Sequence, residues 1–208
     1  MLRNNRPPIE KHIWKALKSF QNRDMEDSLY QIAPAIDVTA KKRYPDKLKV
    51  GERIKAFIFD EQPLIYYFST QGTIKPEGIK IVMVDDNTNK PIGNHPEHAG
   101  ELADFIYHNI RCAQTHDAEI DYTFIDLGRE FGIGRLTFQN DGNSLKPGVF
   151  VISNATILAL ILSVVCAPEN KEICLPGDIV LYDKITLVWD RLLGNKEYLM
   201  EKLLQLFN

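Results

Sequence analysis

The stretch VFVISNATILALILSVVCA, residues 149–167, decides the fold class because it carries no charged side chain. It could form either a helix across a membrane or a helix in a protein core. Ser153, Asn154 and Ser163 interrupt the run, and Ser153 or Asn154 can cap a helix, which leaves about 13 apolar helical residues where a bilayer needs about 20. The stretch therefore predicts a buried core helix at 154–167 and no membrane span.

Amphipathic patterns on both sides of this segment predict a mainly α-helical fold. Asp24 is the expected cap of the second helix, and Pro34 should kink that helix. The third helix is either continuous or broken before Pro63. The predicted helices are 9–22, 25–43, about 52–68, 97–116, 154–167 and 195–207.

A change of period predicts a minor β-element. Ile120, Tyr122 and Phe124 alternate with other side chains, so residues 119–152 indicate a small antiparallel sheet. Residues 178–189 indicate a strand pair or an extended return. The length of 208 residues fits one domain over 1–208, a helical domain with a β insertion.

Positive charge is concentrated early in the chain. Residues 1–55 hold 13 Lys and Arg against 7 Asp and Glu, although the whole chain has a formal charge of −3. The densest basic stretch is a candidate for sequence-independent contact with an RNA backbone, and a solvated charged face is the alternative. Its candidate RNA-contacting residues are Lys41, Lys42, Arg43, Lys47 and Lys49.

The cysteine content indicates a compartment. Cys112, Cys166 and Cys174 are odd in number and have no metal-like spacing, which favours a reducing cytoplasm over a disulfide scaffold. No secretory signal is visible. We therefore expect a cytoplasmic protein.

The residues most suggestive of chemistry end a predicted amphipathic helix, ELADFIYHNIRCAQTHD, residues 101–117. Arg111 and His116 form an Arg-x4-His pair, which combines a permanent forked cation with a side chain that exchanges protons near neutral pH. A second match to this kind of spacing, Arg6 and His12, is interrupted by prolines. Five residues of helix turn through about 140°, so one Arg–His pair does not line up on a single helix face.

The pattern Tyr107-x3-Arg111-Cys112-x3-His116-Asp117 resembles the signature helix of HEPN (higher eukaryotes and prokaryotes nucleotide-binding) proteins. The close resemblance covers about 20 residues, and the later apolar helix is similar to the closing core helix of some bacterial members. It implies a helical bundle that often dimerises, with two such motifs facing each other as a metal-independent endoribonuclease site. Toxin and antiviral roles are common in the family, which implies an antitoxin-like protein partner.

Applied to the matching positions of this sequence, the resemblance implies that Arg111 and His116 are catalytic and that His108, Cys112 and Asp117 support them. RNA is the implied substrate and a homodimer the implied assembly. Active members commonly have Asn, Asp or His after the arginine, where this chain has Cys112. A non-catalytic interaction or nucleotide-binding module is therefore the alternative function.

A metal centre is not expected from the sequence. His95, His98, His108 and His116 fit no established ligand spacing, and no second tight pair of ligands completes a set. The expected chemistry instead uses the RNA's own 2′-hydroxyl, with His116 as general base or acid. Arg111 would stabilise the growing negative charge. Neither a metal nor another cofactor is expected.

Overall fold

The computed structural model describes residues 8–46, 49–70, 72, 103, 106–107, 122–125, 150–176, 179–181 and 185–207. Helices dominate these residues, which confirms the mainly α-helical prediction. The helices are α1 (Pro8–Gln21), α2 (Met25–Arg43), α3 (Val50–Ser69), α4 (Asn154–Val165), α5 (Trp189–Leu192) and α6 (Lys196–Phe207).

Helices α1 and α2 form a pair whose bounds follow local sequence signals. The carboxylate of Asp24 accepts a hydrogen bond from the Asp27 amide at 3.0 Å, so Asp24 caps α2 as predicted. Ser28 on α2 donates to the Ala16 carbonyl on α1 at 2.9 Å. Pro34 lies inside α2. These contacts bring the apolar faces of both helices into the common core.

Helix α3 is continuous from Val50 to Ser69 and contains Pro63, which decides the question left open by the sequence in favour of an unbroken helix. A proline removes one backbone donor, but the following turns from Leu64 to Phe68 are buried. Packing of those apolar and aromatic side chains offsets the local cost of the proline, because each buried side chain contributes about 1.5–3 kcal/mol.

Helix α4 is the centre of the core, as the uncharged stretch predicts. Ser153 caps it by accepting from the Thr156 amide at 3.2 Å, and Leu162 and Val165 are fully buried. Helix α4 contacts α1, α2 and α3. No helix among the described residues combines the length and hydropathy needed to cross a membrane.

The two β-pairs differ in direction. Strand β1 (Tyr122–Ile125) pairs with β2 (Phe150–Ser153) in parallel, so the antiparallel prediction for 119–152 is wrong for this pair. Alternation of side chains does not encode strand direction, and the 126–149 connection is long enough for a parallel crossover. Strands β3 (Ile179–Leu181) and β4 (Ile185–Leu187) are antiparallel, which confirms the strand pair predicted at 178–189.

The C-terminal helix closes one side of the bundle. Gly194, between α5 and α6, has φ of 67°, and a Cβ there would lie 2.6 Å from the Lys171 Cβ, so this connection needs glycine. At the other end of α6, the Phe207 ring meets the rings of Tyr67 and Phe68 edge-on, with centroids 5.8 and 6.3 Å away. Helix α6 is thus fixed at both ends.

Candidate functional site

The predicted catalytic and supporting residues Arg111, His116, His108, Cys112 and Asp117 lie outside the described residues, as does Lys47. Three earlier residues of the same predicted helix are described. Ala103 and Ile106 are buried in the core, and Tyr107 packs against it. The buried face predicted for this segment is confirmed at these positions.

Tyr107 fixes this segment to the first turns of α3. A Cβ added to Gly51 would lie 2.8 Å from Tyr107 Cζ, so the absence of a side chain at Gly51 allows the ring to approach the helix closely. The Lys55 ammonium lies 5.3 Å from the centre of the same ring, a cation–π contact. Tyr107, four residues before Arg111 in the sequence, is therefore anchored on α3.

Arg43, a member of the predicted basic stretch, points into the protein. Its side chain is 15% exposed and makes a two-point contact with Glu169, with Nε–Oε1 at 2.9 Å and Nη2–Oε2 at 3.1 Å. It also donates through Nη1 to Glu61 Oε1 at 2.8 Å. The guanidinium carbon lies 4.6 Å from the centre of the Phe57 ring. This planar, multidentate arrangement is one that lysine could not reproduce.

Glu61 is the buried centre of this charged cluster, which we define as Arg43, Glu61, Glu169 and Lys196. Its side chain is fully buried, and Lys196 Nζ lies 2.7 Å from its Oε2 as an ion pair without hydrogen-bond alignment. The cluster joins the end of α2, the middle of α3, the 3₁₀ turn at Pro168–Asn170 and the start of α6. The buried carboxylate is thus compensated by two cations.

The charges in this cluster reinforce one another. Burial by itself raises the pKa of Glu169, but hydrogen bonding and charge from Arg43 hold the pKa below its usual value. Burial lowers the pKa of Arg43, yet Glu169 and Glu61 raise it beyond its already high value. Burial also raises the pKa of the nearby Cys166 thiol, so that sulfur stays protonated and is a poor nucleophile.

Other members of the basic stretch also have protein partners. Lys42 donates to the Glu169 carbonyl and to Asn170 Oδ1, both at 3.1 Å, and Lys49 Nζ lies 3.4 Å from Glu52. Lys41 is exposed and makes no hydrogen bond or ion pair with any described residue. Several residues of this basic stretch therefore connect elements of the fold, in addition to carrying charge.

One member of this cluster, Glu61, is recognisable from the sequence. Asp60 and Glu61 interrupt an apolar helix, and Glu61 lies on its buried side. A buried carboxylate needs a cation beside it, and Arg43, at the end of the preceding helix, was a candidate. Glu169 and Lys196 gave no such warning, because their approach depends on the tertiary fold.

Among the described residues, no three His, Cys, Asp or Glu side chains come together as a metal site would require. His95, His98, His108 and His116 lie outside those residues. Cys166 and Cys174 are free thiols, the first buried and the second exposed.

Comparison with known proteins gives a family relationship. The family model Rv1289 matches residues 8–204. The chain is 25% identical over 187 residues to the uncharacterized protein Rv1289 of Mycobacterium tuberculosis H37Rv and to the uncharacterized protein Mb1320 of Mycobacterium bovis. Each alignment covers 86% of this chain and 80% of the relative. No solved structure matches the chain.

Proposed function

The chain belongs to the Rv1289 family, and we propose that it is a metal-independent endoribonuclease of the HEPN type, with Arg111 and His116 as catalytic residues. The observation that supports this proposal most is the Arg111-x4-His116 spacing in the sequence, which begins four residues after Tyr107. Ala103 and Ile106 are buried, and Tyr107 packs on α3.

The proposed reaction needs only the substrate and protein side chains. The 2′-oxygen of RNA attacks the adjacent phosphorus, the bond from phosphorus to the 5′-oxygen breaks, and a 2′,3′-cyclic phosphate and a 5′-hydroxyl form. One proton leaves the 2′-hydroxyl and one is delivered to the departing 5′-oxygen, which are roles suited to histidine. Arg111 stabilises the additional negative charge on the phosphoryl oxygens.

We also propose a homodimer in which two motifs face each other. The two proton transfers require a base and an acid, and two copies of His116 supply both. In the helix predicted from the sequence, Arg111 and His116 would be about 140° apart around the axis, so a partner's motif would complete the site better than the same motif alone. A strict monomer by light scattering at micromolar concentration would contradict this arrangement.

The proposed setting is a reducing cytoplasm, with a toxin or phage-defence role and an antitoxin-like protein partner. The free thiols of Cys166 and Cys174 support the compartment. The biological role rests on the HEPN resemblance alone. Genes adjacent to this one that encode a small, separately folded inhibitor would support it.

Cleavage of RNA by the purified chain in the presence of EDTA tests the proposed function. We expect His116→Ala to lower the rate by roughly 10²–10⁴-fold, as for a lost general acid–base group. Arg111→Lys should also be impaired, because a point charge does not replace the guanidinium fork. His12→Ala is the matched control, since His12 belongs to the chain's other Arg–His spacing and should leave the rate unchanged.

A non-catalytic interaction or nucleotide-binding module is the second candidate, and Cys112 favours it. This residue follows Arg111 where active HEPN proteins commonly have Asn, Asp or His. Binding of RNA or a nucleotide without cleavage, by a folded wild-type dimer, would support the second candidate. Gain of cleavage in Cys112→Asn would show that position 112 had removed the activity.

A further inference from the structure

Helix α1 carries a row of three exposed lysines, Lys11, Lys15 and Lys18. Their spacing of four and three residues puts them on one face of the helix, with rises of about 6 and 4.5 Å between successive positions. The opposite face of α1 packs into the core through Ile9 and Ile13. The row therefore faces solvent, and the opposite face of the same helix is buried in the core.

These lysines differ from the basic stretch near the end of α2, in which Lys41 is the exception among the described members because it has no hydrogen bond or ion pair within the described part of the chain. Arg43, Lys42 and Lys49 have carboxylate or carbonyl partners, whereas no lysine of the α1 row has a hydrogen bond or ion pair with a described residue. Hydrogen bonds from Ser19 and Gln31 lower the pKa of Asp27 on α2, and the positive charge of Lys15 also lowers it. That carboxylate already accepts hydrogen bonds from the side chains of Ser19 and Gln31.

We propose that the α1 row of Lys11, Lys15 and Lys18 is the surface that holds the phosphate backbone of the RNA substrate. This inference rests on the proposed ribonuclease function and names the part of the fold that binds the polymer. Lysine ammoniums on flexible stems suit successive phosphates, because such contacts need no fixed planar geometry and read no sequence.

The surroundings of the row favour RNA over a membrane. An amphipathic helix binds a bilayer by inserting its apolar face. The apolar face of α1 is already occupied, because Ile9, Ile13, Ala16 and Leu17 are buried in the core. The row thus offers positive charge, but α1 has no free apolar face that could insert into a membrane.

The surroundings also favour RNA over an acidic protein. Protein interfaces take most of their binding energy from buried aromatic or aliphatic anchors. Among the described residues, the exposed large apolar side chains lie on α2, α3 and α6 and none lies on α1; they are Tyr30, Val50, Phe59 and Leu204. A phosphate backbone requires no such anchor.

The test measures binding separately from cleavage. In a His116→Ala background, Lys11, Lys15 and Lys18 are changed together to Gln, which keeps helix propensity and removes charge. Binding of a fluorescent single-stranded RNA is followed by anisotropy across a salt series. The matched control changes Lys171, Arg191 and Lys202 to Gln, which alters the net charge by the same amount.

We expect the α1 triple variant to lose about tenfold in affinity, and the slope of log affinity against log salt to fall by about 2, since each single-strand phosphate contact contributes about 0.7. The control triple should change neither by a comparable amount. Equal losses in both triples, no loss in the α1 triple, or loss confined to a Lys41→Gln/Lys49→Gln variant would overturn the inference.

Two further outcomes separate this inference from the proposed function. RNA binding that depends on the α1 row, without any RNA cleavage by the wild type, would uphold the surface and overturn the ribonuclease. Cleavage that needs His116 but shows no dependence on the row in binding or rate would uphold the ribonuclease and overturn the surface. Stronger row-dependent binding to phosphatidylserine vesicles or polyglutamate than to RNA would also overturn it.

Discussion

The ring of Tyr107 lies so close to the backbone of Gly51 that a Cβ at position 51 would be 2.8 Å from Tyr107 Cζ. We predict that Gly51→Ala destabilises the protein by up to about 1 kcal/mol, because the outer end of the Tyr107 ring must shift to make room for the new methyl group. In a Tyr107→Ala background the same change should be neutral or stabilising by up to about 1 kcal/mol, because alanine favours helix. Urea unfolding of the four proteins measures the coupling. An equal effect in both backgrounds would show that the ring does not rest on Gly51.

Arg43 should matter more for folding than for RNA contact. Arg43→Met removes the hydrogen-bonded cation from the fully buried carboxylate of Glu61, which keeps the ion pair with Lys196, and we predict a loss of up to about 3 kcal/mol in the free energy of unfolding. Lys49→Met is the control, because the Lys49–Glu52 pair is exposed and such pairs contribute about 0–1 kcal/mol. Chemical denaturation checks both. Comparable losses in the two variants would contradict an internal role for Arg43.

Stability should fall in acid, in part through Glu169. Arg43 holds the pKa of Glu169 below its ordinary 4.5, so at pH near 4.5 the unfolded chain binds more protons than the folded one. The contribution is therefore complete above that pH and is lost as the pH falls through the lower folded value. Urea midpoints measured from about pH 6 to about pH 3.5 should decline less steeply in Glu169→Gln. If the urea midpoint declined with pH as steeply in Glu169→Gln as in the wild type, Glu169 would not contribute to the loss of stability in acid.

The buried helix α4 gives a direct test of the core. Leu162 is fully buried, and we predict that Leu162→Asp abolishes cooperative unfolding, because a carboxylate there has no partner. Leu204 on α6 is 46% exposed, so Leu204→Asp is the matched control and should leave a normal melting transition. Calorimetry distinguishes the two. A normal transition in Leu162→Asp would mean that this segment is not core.

Local signals in the sequence predicted the helices well. Asp24 caps α2, Ser153 caps α4, and the apolar periodicity placed α1 and α6 within a residue or two. These features depend on neighbours along the chain. The parallel direction of the β1–β2 pair depends instead on the path of the chain between the two strands. Side-chain alternation is the same in parallel and antiparallel pairs.

The charged residues show where sequence reasoning stopped. In the sequence Arg43 belongs to a basic stretch with neighbouring lysines, but its contacts join it to Glu61, 18 positions away, and to Glu169, 126 positions away. The α1 lysine row follows from the spacing of Lys11, Lys15 and Lys18 in the sequence, but their exposure depends on which face of α1 packs into the core. Arg111 and His116 are outside the described residues, so their convergence stays a prediction.

Cleavage of a matched pair of oligonucleotides in EDTA, one RNA and one with every 2′-hydroxyl removed, tests the proposed ribonuclease most directly. We expect the wild-type chain to cut only the RNA and to leave a 2′,3′-cyclic phosphate, identified by mass spectrometry, while His116→Ala cuts roughly 10²–10⁴-fold more slowly. Cleavage that EDTA stops and His116→Ala leaves unchanged, or cleavage of the deoxy strand, would contradict the proposed site.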